Sequence, residues 1–284
     1  MSSGHVLLLG AIAGFTIFLG LPLGRLRNPA PRTRALLNAT SIGILVFLLW
    51  DVLSAAIDPV EGALTKAAVD HQGGWGTFAA RTIAFTVCFV VGLMGLVYYD
   101  RWMTRRRRAA GQFGPGAAAV GEFKAARKPM TLSSAEHLAA LIAVGIGLHN
   151  FSEGLAIGQS AAKGEISLAL LLIIGFGLHN ATEGFGIVAP LSAEDDRPSW
   201  RFLIAMGLIG GGPTFIGTLV GRAFVNETLS IAFLALAAGS ILYVVVQLLN
   251  VAQKLGFKEI LMWGLLIGIM LGFATDFVVT AAGV

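Results

Sequence analysis

The chain is 284 residues long, 56% hydrophobic and only 13% charged, with several apolar runs that reach the about 20 residues needed to span a bilayer. This excludes a soluble globular domain and predicts an all-α polytopic membrane protein. A pI near 9.5 does not imply nucleic acid, because the basic residues fall between the apolar runs, where they set topology.

Eight spans are predicted within one transmembrane domain covering 1–284, at about 5–24, 35–57, 77–100, 136–158, 166–190, 201–222, 229–252 and 259–281. The first has no basic leader and exceeds a signal peptide's apolar core, so it reads as a retained helix with its N-terminus outside. In span two, Asp51 stands beside Trp50. A carboxylate in an apolar run is a pathway candidate, with a place near the outer end, beside Asp58, as the alternative. Span three holds Cys88, the one cysteine, which excludes disulfides and cysteine zinc sites.

Residues 101–134 form the one long linker, predicted to be a mobile, basic cytoplasmic loop. It opens on Arg105 to Arg108 and turns rich in Gly and Ala around Gly111 to Gly121. The arginines orient span three, and binding to anionic lipid headgroups is the alternative reading. Glu136 and His137, at the start of span four, read as interfacial.

Spans four and five say the same thing twice. Gly145-Ile-Gly-Leu-His149-Asn150-Phe-Ser-Glu153-Gly154 returns thirty residues on as Gly175-Phe-Gly-Leu-His179-Asn180-Ala-Thr-Glu183-Gly184. His and Glu four apart stack one turn over the other on a helix, and Asn lies roughly 100° round from His with Glu between them. Two such helices facing each other offer two imidazoles, two carboxylates and two amide oxygens. A carboxylate at mid-membrane costs about 2.5–3.5 kcal/mol on the insertion scale, so ordinary interhelical packing does not account for Glu153 and Glu183 together. A bound divalent cation offsets that cost, and imidazole with carboxylate suits zinc and other first-row metals.

Beyond the motifs, Gly210-Gly-Gly-Pro213 in span six is expected to break or bend its helix. Gln247 and Asn250 on span seven read as interhelical hydrogen-bonding groups, and Asp276 lies toward the outer end of span eight. With the N-terminus outside, sixteen of the twenty Lys and Arg residues fall on cytoplasmic segments, which puts both termini outside. A fainter repeat brackets the central pair: Gly20 to Arg25 resembles Gly217 to Arg222, and Ile44-Leu45 matches Ile241-Leu242, all at an offset of 197. The implied plan is three spans, a central pair, then three inverted spans.

At His149-Asn-Phe-Ser-Glu-Gly and its echo at His179 the chain resembles the ZIP family of divalent-metal transporters, as a divergent prokaryotic-type member. The resemblance covers essentially the whole chain. It implies metal movement into the cytoplasm across the cell membrane, elevator-like sliding of a transport bundle, and often a homodimer. It carries the metal ligands over to His149, Asn150, Glu153, His179, Asn180 and Glu183. Asp51, Gln247 and Asp276, polar residues in apolar spans, are pathway candidates independently of the resemblance. The metal is substrate, and no cofactor is implied. The chain departs from the family at Ser152 and Thr182, where proline often precedes the glutamate. It also departs at Gly212 and Gln247, where carboxylates are common, so a second ion site is expected to be impoverished.

Rival readings are a metal-binding sensor or non-transporting relative, which the missing carboxylates favour, and a haem protein with His149 and His179 as axial ligands, which the neighbouring glutamates disfavour. A membrane metallohydrolase using glutamate as base is disfavoured by the symmetry of the two motifs. The expected partners are therefore a divalent metal ion and the lipid bilayer.

Overall fold

The computed structural model describes residues 3–25, 30–70, 73–111, 132–162, 173, 177, 180–181, 183–193, 197–223 and 226–281. Among the described residues there is helix and no strand. In chain order the helices are α1 (Ser3–Phe15), which passes into 3-10 turns at Thr16–Leu19 and Leu21–Arg25, then α2 (Pro31–Ala68) and α3 (Trp75–Gly111). Next comes α4 (Ser134–Ala162), and then α5, helical through residues 183–188 and closed by a 3-10 turn at Ala189–Ala193. The last three are α6 (Trp200–Ala223), α7 (Glu227–Leu255) and α8 (Lys258–Ala281). Among the described residues seven segments are long and apolar enough to cross a membrane, and the protein is an all-α polytopic membrane protein. Most of expected span five, His179 and Thr182 within it, and residues 112–131 of the linker lie outside the described residues.

The helix ends follow local chemistry. Ser133 and Glu136 form a reciprocal capping box on α4: Ser133 Oγ accepts from Glu136 N at 3.0 Å and Glu136 Oε2 from Ser133 N at 2.9 Å. Asn226 Oδ1 caps α7 by accepting from Leu229 N at 3.0 Å. Gly256 ends α7 in the left-handed conformation, φ 77°, which glycine adopts without steric cost. Two helices outrun the prediction. α2 continues eleven residues past position 57 with Pro59 inside it, and α3 runs on to Gly111. The basic run Arg105 to Arg108 thus continues α3, since arginine is a good helix former.

Glycine faces set the packing. A Cβ built on Gly14 would lie 2.3 Å from Gly211 O, and one on Gly211 would lie 2.1 Å from Gly14 O, so α1 and α6 meet backbone to backbone. Gly10 faces Thr218 while Gly207 faces Phe18, so the two helices run antiparallel. The same geometry is repeated on either side of this crossing. A Cβ on Gly20 would meet Ala181 O at 2.4 Å, and one on Gly217 would meet Phe151 O at 2.1 Å. Likewise, one on Gly184 would meet Ile17 O at 2.0 Å, and one on Gly154 would meet Thr214 O at 2.1 Å. Each α1 or α6 residue here has its counterpart at the offset of 197, and each motif-helix residue at the offset of thirty. α1 therefore packs on α5 as α6 packs on α4, in the inverted sense the repeat implies.

Around this set stands a second one, in which α2 packs on α8 and α3 on α7 through Gly43, Gly268, Gly92 and Gly239. α2 also packs on α7 and α3. The sets touch chiefly where α4 meets α7. That contact is looser: a Cβ on Gly145 would lie an ordinary 3.5 Å from Ser240 Cβ, and Phe151 packs its ring on Phe233.

The structure does not break α6 at Gly210 to Pro213; the helix runs unbroken from Trp200 to Ala223. The first two glycines admit neighbours instead, Gly210 the side chains of Ile17 and Ile187, and Gly211 the backbone of Gly14. The interruption falls on α1, where α-helix gives way to 3-10 at Thr16, the residue at the repeat offset from Pro213.

Candidate metal centre

The first motif lies on an uninterrupted stretch of α4, and Ser152, in place of a proline, donates to Leu148 O at 3.5 Å. Four residues of helix bring His149 over Glu153, with Nε2 and Oε1 3.1 Å apart. From α5, Glu183 Oε1 approaches the same Nε2 to 3.9 Å. His149, Glu153 and Glu183 are 3%, 5% and 0% exposed, so an imidazole and two carboxylates share a site without water access. In a tetrahedral shell with bonds of about 2.0–2.2 Å, neighbouring donors stand roughly 3.3–3.6 Å apart, and the two separations at His149 bracket that value. Among the described residues no three His, Cys, Asp or Glu side chains already converge as a finished metal-binding group. The fourth predicted ligand, His179, lies outside the described residues.

The two asparagines are held in matching ways. Asn150 Nδ2 donates to Gly210 O on α6 at 3.0 Å, and Asn180 Nδ2 donates to Ala13 O on α1 at 3.0 Å. Ala13 and Gly210 are themselves related by the offset of 197. Asn150 Nδ2 also donates to Glu183 Oε2 at 3.0 Å, so both of its amide hydrogens are used, one on a scaffold carbonyl and one on a site carboxylate. The carbonyl oxygens Asn150 Oδ1 and Asn180 Oδ1 are left buried and without a hydrogen-bond partner. They are the ends of the two amides able to accept a cation.

Thus the structure gathers His149, Asn150, Glu153 and Glu183 directly, with Asn180 tied to α1 beside them. The remaining candidates stand apart. Asp51 is half-buried on α2, and among the described residues no hydrogen bond or ion pair joins it to the motif side chains. Asp276 is on α8, which packs against α2.

Gln247 is on α7, one turn on from Tyr243, whose hydroxyl lies close to Asp100 of α3. Since Gly145 faces Ser240 and Phe151 faces Phe233, α4 and α7 run antiparallel. Gln247 then stands roughly 18 Å along the axis from Asn150, at 1.5 Å of rise per residue. Asp100 Oδ1 also lies 3.2 Å from His137 Nε2 at the start of α4, and Tyr99 stacks on that ring at 6.1 Å. This chain of polar groups crosses from the α3–α7 pair to α4. The sequence offered it only as isolated residues near span ends.

A family model described as ZIP Zinc transporter matches residues 117–280, which takes in both motifs, α6, α7 and most of α8. Among curated proteins none matches.

Proposed function

The chain belongs to the ZIP zinc transporter family, whose members move divalent metal across membranes, and from that membership we propose that it carries a transition-metal dication, zinc first, into the cytoplasm through the site between α4 and α5. The observation that supports this most is the approach of His149 Nε2 to Glu153 and Glu183, in a bundle interior where unneutralised carboxylates are costly. Iron, manganese and cobalt fit the same nitrogen and oxygen donors. His179 completes the proposed shell, and the asparagine oxygens flank it. The inward direction, residence in the cell membrane with both termini outside, and assembly as a homodimer belong to the proposal. They rest on the basic-residue asymmetry and on the family.

Movement by sliding is also part of the proposal, and the packing supports it. Within each helix set, glycines let backbones interlock at distances that no side chain would permit. Between the sets, α4 and α7 meet through side chains at ordinary contact distances. Shear is easier across the second kind of surface, since nothing there must disengage from a backbone groove.

The test is metal binding and uptake. Replacing Glu153 and Glu183 together by alanine is expected to abolish Zn²⁺ binding by calorimetry and Zn²⁺ entry into proteoliposomes. Full affinity in the double variant would remove the site assignment. Full wild-type binding without uptake would favour the sensor reading, which the absence of carboxylates at Gly212 and Gln247 keeps in play.

A further inference from the structure

Five serine and threonine side chains are buried among the described residues: Ser41, Ser152, Thr214, Thr218 and Ser240. Four of them donate to the carbonyl one turn back: Ser41 to Leu37 at 3.1 Å, Ser152 to Leu148 at 3.5 Å, Thr218 to Thr214 at 2.8 Å and Ser240 to Leu236 at 2.9 Å. This is how a helix normally satisfies a buried serine or threonine. Thr214 is the exception, with a fully buried Oγ1 that has no partner. The carbonyl it would use, Gly210 O, already accepts from Asn150 Nδ2. An unsatisfied buried hydroxyl costs stability and calls for a reason.

Its position suggests one. Thr214 O lies against Gly154, the residue after Glu153. Its side chain lies against Gly14, where an added Cβ would be 3.1 Å from Oγ1. The adjoining carbonyl, Ala13 O, is the one that holds Asn180. Thr214 thus sits where α6 meets α1 and α4, with its hydroxyl turned to α1, one turn from Gly210 and beside the residue that follows Ala13, the two that hold the asparagines. Three neutral side-chain oxygens on these motif helices and on α6 are buried and without partners: Asn150 Oδ1, Asn180 Oδ1 and Thr214 Oγ1. The repeat argues against mere packing, because the residue at the corresponding position of α1 is Ile17. An apolar side chain serves in one half, and the hydroxyl is an addition to the other.

We infer that Thr214 is a further oxygen ligand for the transported cation, acting with Asn150 and Asn180 where Gly212 supplies no carboxylate. This extends the transport reading and rests on it. Three neutral oxygens beside the His149, Glu153 and Glu183 donors suit an ion that takes six mostly oxygen ligands, such as Mn²⁺, more than one content with four, such as Zn²⁺.

The experiment is calorimetric titration of the full-length protein in detergent with MnCl₂ and with ZnCl₂, for the unsubstituted chain, Thr214→Val and Thr214→Ser. Valine keeps the shape and removes the oxygen; serine keeps the oxygen. Mn²⁺ affinity is expected to fall about tenfold or more in Thr214→Val, the scale on which loss of an auxiliary group at a metal site acts. Zn²⁺ affinity should fall less, and Thr214→Ser should retain both. Unchanged Mn²⁺ affinity in Thr214→Val overturns the inference while leaving the site itself standing. Equal loss in both variants also overturns it, by assigning the effect to packing at this position and not to the oxygen. An unsubstituted protein that binds Zn²⁺ and not Mn²⁺ overturns it too, and one that binds neither removes the transport reading as well.

Discussion

Nε2 of His149 stands between two carboxylates, so protons and cations compete for the same few atoms. The imidazole must be neutral and the carboxylates ionised to take a metal, and binding releases whatever protons they hold. Zn²⁺ affinity should therefore weaken as pH falls through the ordinary histidine range, near roughly 6.5. Equal affinities in neutral and mildly acidic buffer would speak against histidine ligation. At this scale the sequence was partly legible. The four-residue spacing of His149 and Glu153 is enough to stack them, because the helical period is fixed. The partners of the asparagine amides were not legible. Their acceptors, Gly210 and Ala13, lie 60 and 167 positions away, and no local pattern announces a backbone carbonyl with a vacant lone pair. Thr214 was missed for the same reason, since its hydroxyl is orphaned by a bond made elsewhere.

Between residue and molecule, the glycine contacts carry most of the specificity. Glycines recur along the spans, but a glycine's place in the sequence does not say which helix it meets. The structure shows the pairing, and the repeat makes it predictable twice over. Alanine at Gly217 would drive a methyl into Phe151 O, and alanine at Gly20 would drive one into Ala181 O. Each should destabilise by about 1–3 kcal/mol, the usual cost of overpacking, and the two costs should be similar because the environments correspond. Gly62, with nothing within 4 Å of its Cβ position, is the control and should accept alanine unchanged. Thermal denaturation of the purified variants in detergent checks this, and an undisturbed Gly217→Ala would discount the interlocking described above. The extensions of α2 and α3 were not legible from hydropathy, which registers where a chain ceases to be apolar and not where it ceases to be helical.

For the molecule as a whole, the all-α polytopic plan followed from the apolar runs, because a bilayer admits long apolar helices. The separation into two helix sets did not, since it depends on pairings between distant spans. One dimension of those sets bears on the surrounding lipid. α2 and α3, with 38 and 37 residues, are each roughly 56 Å long, against a hydrocarbon thickness of about 30 Å. α6, beside the site, has 24 residues and reaches roughly 36 Å. Posts that overshoot the hydrocarbon so far keep their polar ends in water under any modest tilt or shift. A helix close to the membrane's own thickness does not, and if it slides its apolar belt must drag the acyl chains with it, thinning one leaflet's edge and thickening the other. The bilayer would then act as a spring in the transport cycle. Zn²⁺ uptake into vesicles built from lipids of graded acyl length is expected to peak at one thickness and fall on both sides of it, while equilibrium binding in detergent stays fixed by the site.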